Sequence, residues 1–429
     1  MSESQNLPTV DHKPHAAFFR QSGWLMIANI ASGGLTCGVH FLAKFVPEAQ
    51  YAAFGTLLMV VACLPAMPLQ MIFAQQTALA LATGRERQLS GLIRRAWLGV
   101  TLVWLAGALA VFFFQNQIVA GWQLPNAFGL WAMVAAVLVS LWLPVFTGVV
   151  QGRQDFFWMG WSVISNGAGR VVAAAALVLA LACGAAGMMA GTFIGISFAA
   201  GIVIWRSRDL WLAPAEKSDW NNLLRQVLPL LLGFGACQFM FTSDTMFAKA
   251  YFTGDEMAPY VAAGTLSRAL LWLVLPLAAV MFPKIVHASA KSEKSNLFAL
   301  VVLGTVVLAI CGGLGLWLTG PLAVKIVFKS SYVAATTALL PWYAAAMVPL
   351  ALANVLVNDL LARNRFGVVP WMVLLALGYG FALPWVLGHY HRLEVVLQML
   401  GVFNLLLFGV CALFAWGIKK SPEPKTGRI

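Results

Sequence analysis

Twelve long apolar segments recur along this chain, and they constrain its fold more than any other feature. They run over about 22–44, 51–82, 95–115, 128–150, 157–182, 185–205, 223–250, 258–286, 297–320, 332–360, 367–388 and 394–418. A helix needs roughly 20 apolar residues to cross hydrocarbon. A transmembrane barrel would show alternating segments of about ten residues; these runs are longer and continuously apolar. The composition agrees: 61% of residues are hydrophobic, 10% are charged and the mean hydropathy is +0.83, whereas soluble domains average about 25% charged residues. The sequence predicts an all-α polytopic membrane protein with twelve transmembrane helices.

That reading changes the meaning of the net charge of +12. On a soluble protein it would suggest nucleic acid. Here basic residues crowd the cytoplasmic loops, and no nucleic-acid partner is expected. With the N-terminus inside, the inner segments hold 20 Lys and Arg and the outer segments 5; Arg170 and Arg268 lie within spans. Both termini are therefore expected in the cytoplasm. The first 17 residues are polar, and no removed signal peptide is expected. The six cysteines all lie in apolar runs without metal-ligand spacing, and read as small core hydrophobes. Pro65, Pro68, Pro144, Pro276, Pro349 and Pro384 fall at mid-depth, where a membrane helix tolerates a break if neighbours satisfy the freed carbonyls.

The chain repeats itself. Ala43-Lys44 and then Tyr51-Ala52-Ala53-Phe54-Gly55-Thr56-Leu57 match Ala248-Lys249 and then Tyr260-Val261-Ala262-Ala263-Gly264-Thr265-Leu266. The match continues through Leu64/Leu273 and Phe73/Phe282. Gly152-Arg153-Gln154-Asp155-Phe156 is echoed by Ala362-Arg363-Asn364-Arg365-Phe366. Six spans per copy is an even number, so both copies insert the same way up, as a parallel repeat. The expected organisation is an N-terminal six-helix bundle over 1–204, a cytoplasmic linker over 205–222 and a C-terminal six-helix bundle over 223–429. Transporters of this layout bind substrate near mid-depth between the bundles and rock one against the other.

Charges inside spans mark where function could sit, since each costs about 2.5–3.5 kcal/mol to insert. Arg170 is mid-span in helix five, with Asn166 one turn before it. Asp244 and Arg268 lie inside helices seven and eight. For the two arginines the functional reading is anion binding, because a planar guanidinium matches phosphate oxygens; the plainer reading is an ion pair of Arg268 with Asp244. Asp244 reads equally as a carboxylate coupling transport to Na+ or H+. Lys44 and Lys249 end helices one and seven on the outer side, as interfacial anchors or cavity cations. Asp359 reads as cytoplasmic-end polarity beside Arg363, and His40 as a packing histidine. No HExxH, GxSxG, P-loop or paired-carboxylate motif occurs, and the outer loops are short. Neither an enzyme nor a metal site is expected, and no cofactor.

Asp244, Phe247-Ala248-Lys249, the Gly-Asp-Glu turn, Tyr260, Ala262-Ala263, Leu266-Ser267-Arg268 and Phe282-Pro283-Lys284 resemble the helix seven–eight region of bacterial polysaccharide-biosynthesis membrane proteins. These are lipid-linked oligosaccharide flippases of the multidrug/oligosaccharidyl-lipid/polysaccharide superfamily. Gly148-Val149-Val150-Gln151-Gly152-Arg153-Gln154-Asp155-Phe156 resembles their stretch after helix four. The resemblance implies a V-shaped pair of bundles around a basic cavity, in the bacterial inner membrane. It implies a sugar chain on a polyprenyl diphosphate as cargo, with Arg170, Arg268, Lys44 and Lys249 as hosts for the diphosphate. The cargo would serve O-antigen, capsule or exopolysaccharide synthesis, with membrane lipids, a polysaccharide polymerase and glycosyltransferases as partners. The same fold serves cation-coupled multidrug exporters and lipid II flippases; a membrane polysaccharide polymerase ranks lowest, for want of a long outer loop.

Overall fold

A computed structural model describes residues 13–216, 220–271, 297–363 and 365–417. Among these residues the regular elements are helical. The first half comprises α1 (Lys13–Gly38) with a 3-10 extension (Val39–Lys44), α2 (Glu48–Ala62), α3 (Ala66–Thr83), α4 (Glu86–Gly121), α5 (Ala127–Gly152), α6 (Phe156–Ala175) and α7 (Gly184–Arg206). A short α8 (Arg208–Trp211) follows. The second half comprises α9 (Trp220–Ala248), α10 (254–271), α11 (Leu297–Val327), α12 (Val333–Ala362), α13 (Val369–Tyr390) and α14 (Leu393–Ala412). Eleven membrane-length apolar helical spans lie within the described residues, and α10 begins the expected eighth span of the twelve. The rest of that span, with Pro276 and the Phe282-Pro283-Lys284 match, lies outside the described residues, as do Leu273 and Phe282 of the repeat.

Local chemistry explains where these helices break. The second span is two helices because Pro65 cannot continue the ladder. The break frees the Ala62 carbonyl, which accepts from Gln238 Nε2 of α9 at 2.7 Å, so a helix of the other half satisfies it. At Pro144, Pro349 and Pro384 the helices run through. Gly84 ends α3 with φ of 67°, and Arg85 N donates to Ala80 O at 2.9 Å, a left-handed cap suited to glycine. Asn126 caps α5 by accepting from the Phe128 and Gly129 amides.

The third span is longer than its apolar run. The sequence reading placed it at 95–115, but α4 has 36 residues, about 54 Å at 1.5 Å per residue, more than the roughly 30 Å of hydrocarbon. Its charged first turns carry an apolar stripe, Leu89, Leu92, Ile93 and Ala96, at helical spacing. That stripe packs with Leu210 of α8 in a second, smaller core.

The connection between the halves is docked along its described length. Arg94 donates to the carbonyls of Trp211 and Ala213, Ser90 Oγ donates to Ala213 O at 2.7 Å, and Glu216 N donates to Arg87 O. The Trp211 ring meets Trp97 and Phe146. The loop after α5 is tied in by two ion pairs, Arg153–Asp209 and Arg206–Asp155. Residues 207–216 are thus fastened to the first half.

In the first half α6 and α7 cross closely at Gly191 and Gly195; a Cβ on either would overlap the backbone of Ala174, Asn166 or Arg170. In the second half α12 is the central helix, packed on α11 and α14. The two halves meet firmly at the end of the molecule away from the start of α1 and the end of α14, the outer end under the charge expectation. There Val261 fills the space beside Gly55, and Ala49 packs on Gly254. Tyr51 packs at a tilt against Phe328 and Tyr332 at ring-centroid distances of 5.5 and 6.2 Å. Lys329 Nζ donates to Val46 O at 2.7 Å and Ser331 Oγ to Glu48 Oε1 at 2.8 Å. Cys37, Cys183 and Cys311 are exposed on the apolar surface. This corrects the expectation of a core role for all six cysteines: a long apolar run has a lipid face as well as a core face.

Candidate functional site

Among the described residues the charged side chains buried within the protein are Arg170, Asp244, Lys249 and Arg268: three cations and one carboxylate.

Asp244 and Arg268 sit together. Asp244 lies one turn before the end of α9 and Arg268 four turns into α10, and the long arginine side chain meets the carboxylate across the antiparallel pair. Arg268 Nη2 donates to Asp244 Oδ1 at 2.7 Å and to Thr245 Oγ1 at 3.0 Å, and Nε donates to Phe241 O at 3.1 Å. The guanidinium lies over the rings of Phe241 and Tyr343. The other carboxylate oxygen accepts from the hydroxyls of Tyr260 and Tyr343. Asp244 is fully buried and Arg268 is 5% exposed. The carboxylate is therefore saturated by donors, and the charge of the arginine is balanced. Tyr379 lies close enough to interact electrostatically with this group, yet its buried hydroxyl makes no hydrogen bond.

Arg170 is different. It lies on α6 in the other half, 8% exposed, with Nε fully enclosed and unpartnered. Its Nη nitrogens make no hydrogen bond among the described residues either, and they are not among the enclosed atoms, so the forked end keeps what surface the residue has. Asn166 Oδ1, one turn earlier on the same face, is also enclosed without a partner. His40 lies in electrostatic range of Arg170, and its Nδ1 is 2.9 Å from the Tyr51 hydroxyl.

The two lysines that align in the repeat part company. Lys44 is exposed at the outer end of the first span, whereas Lys249 is fully buried and its Nζ has no hydrogen-bond partner. Burial pulls the Lys249 ammonium below the ordinary lysine range, and the nearby charge of Asp255 opposes that pull. Asp359 accepts from Arg363 Nε at 2.8 Å, an i,i+4 pair at the inner end of α12.

The sequence pointed to the charges and missed most of their partners. Tyr260 and Tyr51 were visible as the repeat's matched tyrosines. Tyr343, in the middle of a span 99 residues from Asp244, left no signal. Among the described residues no three His, Cys, Asp or Glu side chains gather as a metal site would require.

No protein-family model matches the chain, and no curated protein does. Solved structures do. A multidrug resistance MATE family transporter of the MOP superfamily in its inward-facing conformation superposes with a TM-score of 0.73, at 12% identity over 90% of this chain and 92% of that one. The lipid II flippase MurJ, inward closed, gives 0.69 at 13% identity over 93% and 88%. An outward-facing conformation of a multidrug resistance MATE family transporter gives 0.60 at 13% identity over 94% of each chain. The chain has the fold these proteins share.

Proposed function

We propose that this chain is a transporter that carries a polyprenyl-diphosphate-linked oligosaccharide across the bacterial inner membrane by alternating access, for surface polysaccharide synthesis. The buried charge inventory carries the reading. The fold is common to carriers of drugs and of lipid-linked sugars, so charge must separate them. The buried carboxylate, Asp244, is consumed by Arg268, Tyr260 and Tyr343. It offers nothing to a cationic drug while that pair holds. Arg170 is buried and cationic, and among the described residues it has no countercharge. An uncompensated buried charge is costly unless it is matched, and a diphosphate matches a guanidinium fork in charge and in geometry. Lys249 adds a second buried cation, with no hydrogen bond to its ammonium among the described residues and the charge of Asp255 nearby.

The closed outer seam and the higher TM-score to the inward-facing transporter (0.73 against 0.60) fit a state that loads from the inside. Coupling to Na+ or H+ belongs to the same proposal. A cation taken up by Asp244 would release Arg268, which would then face the cargo as a second anion host. Lys44, exposed at the outer end, would meet the cargo only on release. A polymerase and glycosyltransferases acting on the same lipid would be the working partners.

The test is transport of a fluorescent polyprenyl-diphosphate oligosaccharide by purified protein in liposomes, with a cationic dye as the rival cargo. Wild type should move the sugar lipid and not the dye. Arg170→Ala should lose sugar-lipid transport tenfold or more at normal protein level. Dye transport without sugar-lipid transport, or an unaffected Arg170→Ala variant, would sink the proposal.

A further inference from the structure

The residues around Arg170 form a path to the outer seam. His40 lies in the 3-10 turn that ends the first span, and Tyr51 one turn into α2. Both are buried. The imidazole holds the Tyr51 hydroxyl through Nδ1 at 2.9 Å. His40 Nε2 makes no hydrogen bond among the described residues, and like the Arg170 fork it is not an enclosed atom. The Tyr51 side chain also neighbours Thr265 of α10 in the opposite half, whose hydroxyl donates to Val261 O at 2.9 Å. The Tyr51 ring itself packs at a tilt against Phe328 and Tyr332 of the second half. One phenol therefore touches the charged interior of its own half and the seam with the other.

The repeat shows that this linkage is not a necessity of the fold. Tyr260, the counterpart of Tyr51, is held by Asp244 inside a balanced ion-pair network. Tyr51 is held by a single imidazole, which lies in electrostatic range of Arg170. The first is a fixed strut; the second can be pulled.

We propose that His40 and Tyr51 couple an anion held on Arg170 to the outer seam, so that loading the site unseals the end through which cargo leaves. This rests on the reading of Arg170 as an anion receptor. An anion on the Arg170 fork gains a second donor from His40 Nε2–H. Drawing the ring toward the anion takes Nδ1 away from Tyr51. The phenol then lacks its partner in a dry seam, and recovers one when the seam opens to water. The ligand thus interacts differently with the two states, as any ligand that shifts an equilibrium must.

The experiment uses the full chain in nanodiscs, with inorganic pyrophosphate as the probe. Seam closure is read as the rate of disulfide formation in the E48C/S331C pair, with each single variant as the control for native cysteines. Pyrophosphate should slow cross-linking about fivefold or more, the lower range of allosteric coupling. Tyr51→Phe keeps the ring and removes the hydroxyl. It should bind pyrophosphate within about twofold of the parent, by titration calorimetry, yet cross-link at one rate with or without it. Thr265→Val removes the hydroxyl on the opposite half and should blunt the response, which keeps the test open if Tyr51→Phe folds poorly. Binding that depends on Arg170 with no change in cross-linking would overturn the coupling and leave the receptor standing. A Tyr51→Phe variant whose seam responds like the parent would overturn it too. Absence of Arg170-dependent pyrophosphate binding would overturn the receptor reading beneath it.

Discussion

Removing the Arg268 side chain would leave the Asp244 carboxylate in a dry interior with only hydroxyl donors. Arg268→Ala should cost about 3–5 kcal/mol, the usual penalty for breaking a buried pair, while the double change D244L/R268M should recover most of it. Thermal unfolding in detergent reads both. Lys249 makes the opposite case, since its ammonium is buried without a partner. Lys249→Met should raise heat stability. The sign with pH follows: the folded chain holds this proton less tightly than the unfolded chain, so the unfolded state binds more protons between the lowered pKa and 10.5. Stability contributed through this group rises with pH across that window, and the advantage of Lys249→Met should shrink as pH is raised through it. An advantage that stays constant with pH would show the ammonium to be solvated. The charges themselves were legible as residues in the wrong solvent. The pairing of Arg268 with Asp244 was legible as one of two readings; the donors that complete it, Tyr260 and Tyr343, were not, because they are ordinary aromatics in apolar runs.

At the scale of elements, the break between α2 and α3 was visible in Pro65, but its repair was not. Gln238→Leu removes the side chain that donates to the Ala62 carbonyl. It should destabilise by about 0.5–1.5 kcal/mol, the net worth of a hydrogen bond that is only partly buried; Gln238→Asn, shorter by one methylene, should recover little. The docked connection gives a second test. Arg94→Ala frees the carbonyls of Trp211 and Ala213, and proteolysis between 207 and 216 should become faster while the spans stay intact. Acid should do part of the same. Partial burial works against ionisation of Asp209, but the hydrogen bond and charge of Arg153 outweigh it and hold the carboxyl below its ordinary range. That contribution is present at neutral pH and is lost as pH falls through the lowered value. That Arg94 and Ser90 fasten the described part of the polar stretch after the sixth span could not be read, because they lie more than a hundred residues away.

At the scale of the whole molecule, the two halves close on each other where small residues let helices approach. Gly55 leaves the space that Val261 fills. Gly55→Phe should hold the outer end apart, abolish E48C/S331C cross-linking and arrest transport, while folding within each half survives as judged by unchanged helicity. Cross-linking that persists in Gly55→Phe would mean the seam closes elsewhere. The sequence by itself determined twelve spans, their expected direction, the repeat and the identity of the few charges inside. Those follow from local physics, since lipid forbids unpaired backbone and taxes every charge at its own position. Only the tertiary structure decided that Arg268 is neutralised while Arg170 and Lys249 are not, and that Tyr51 sits between the halves. Pairing and seam contacts depend on which helix faces meet, and apolar spans carry almost no code for that beyond a few glycines and tyrosines.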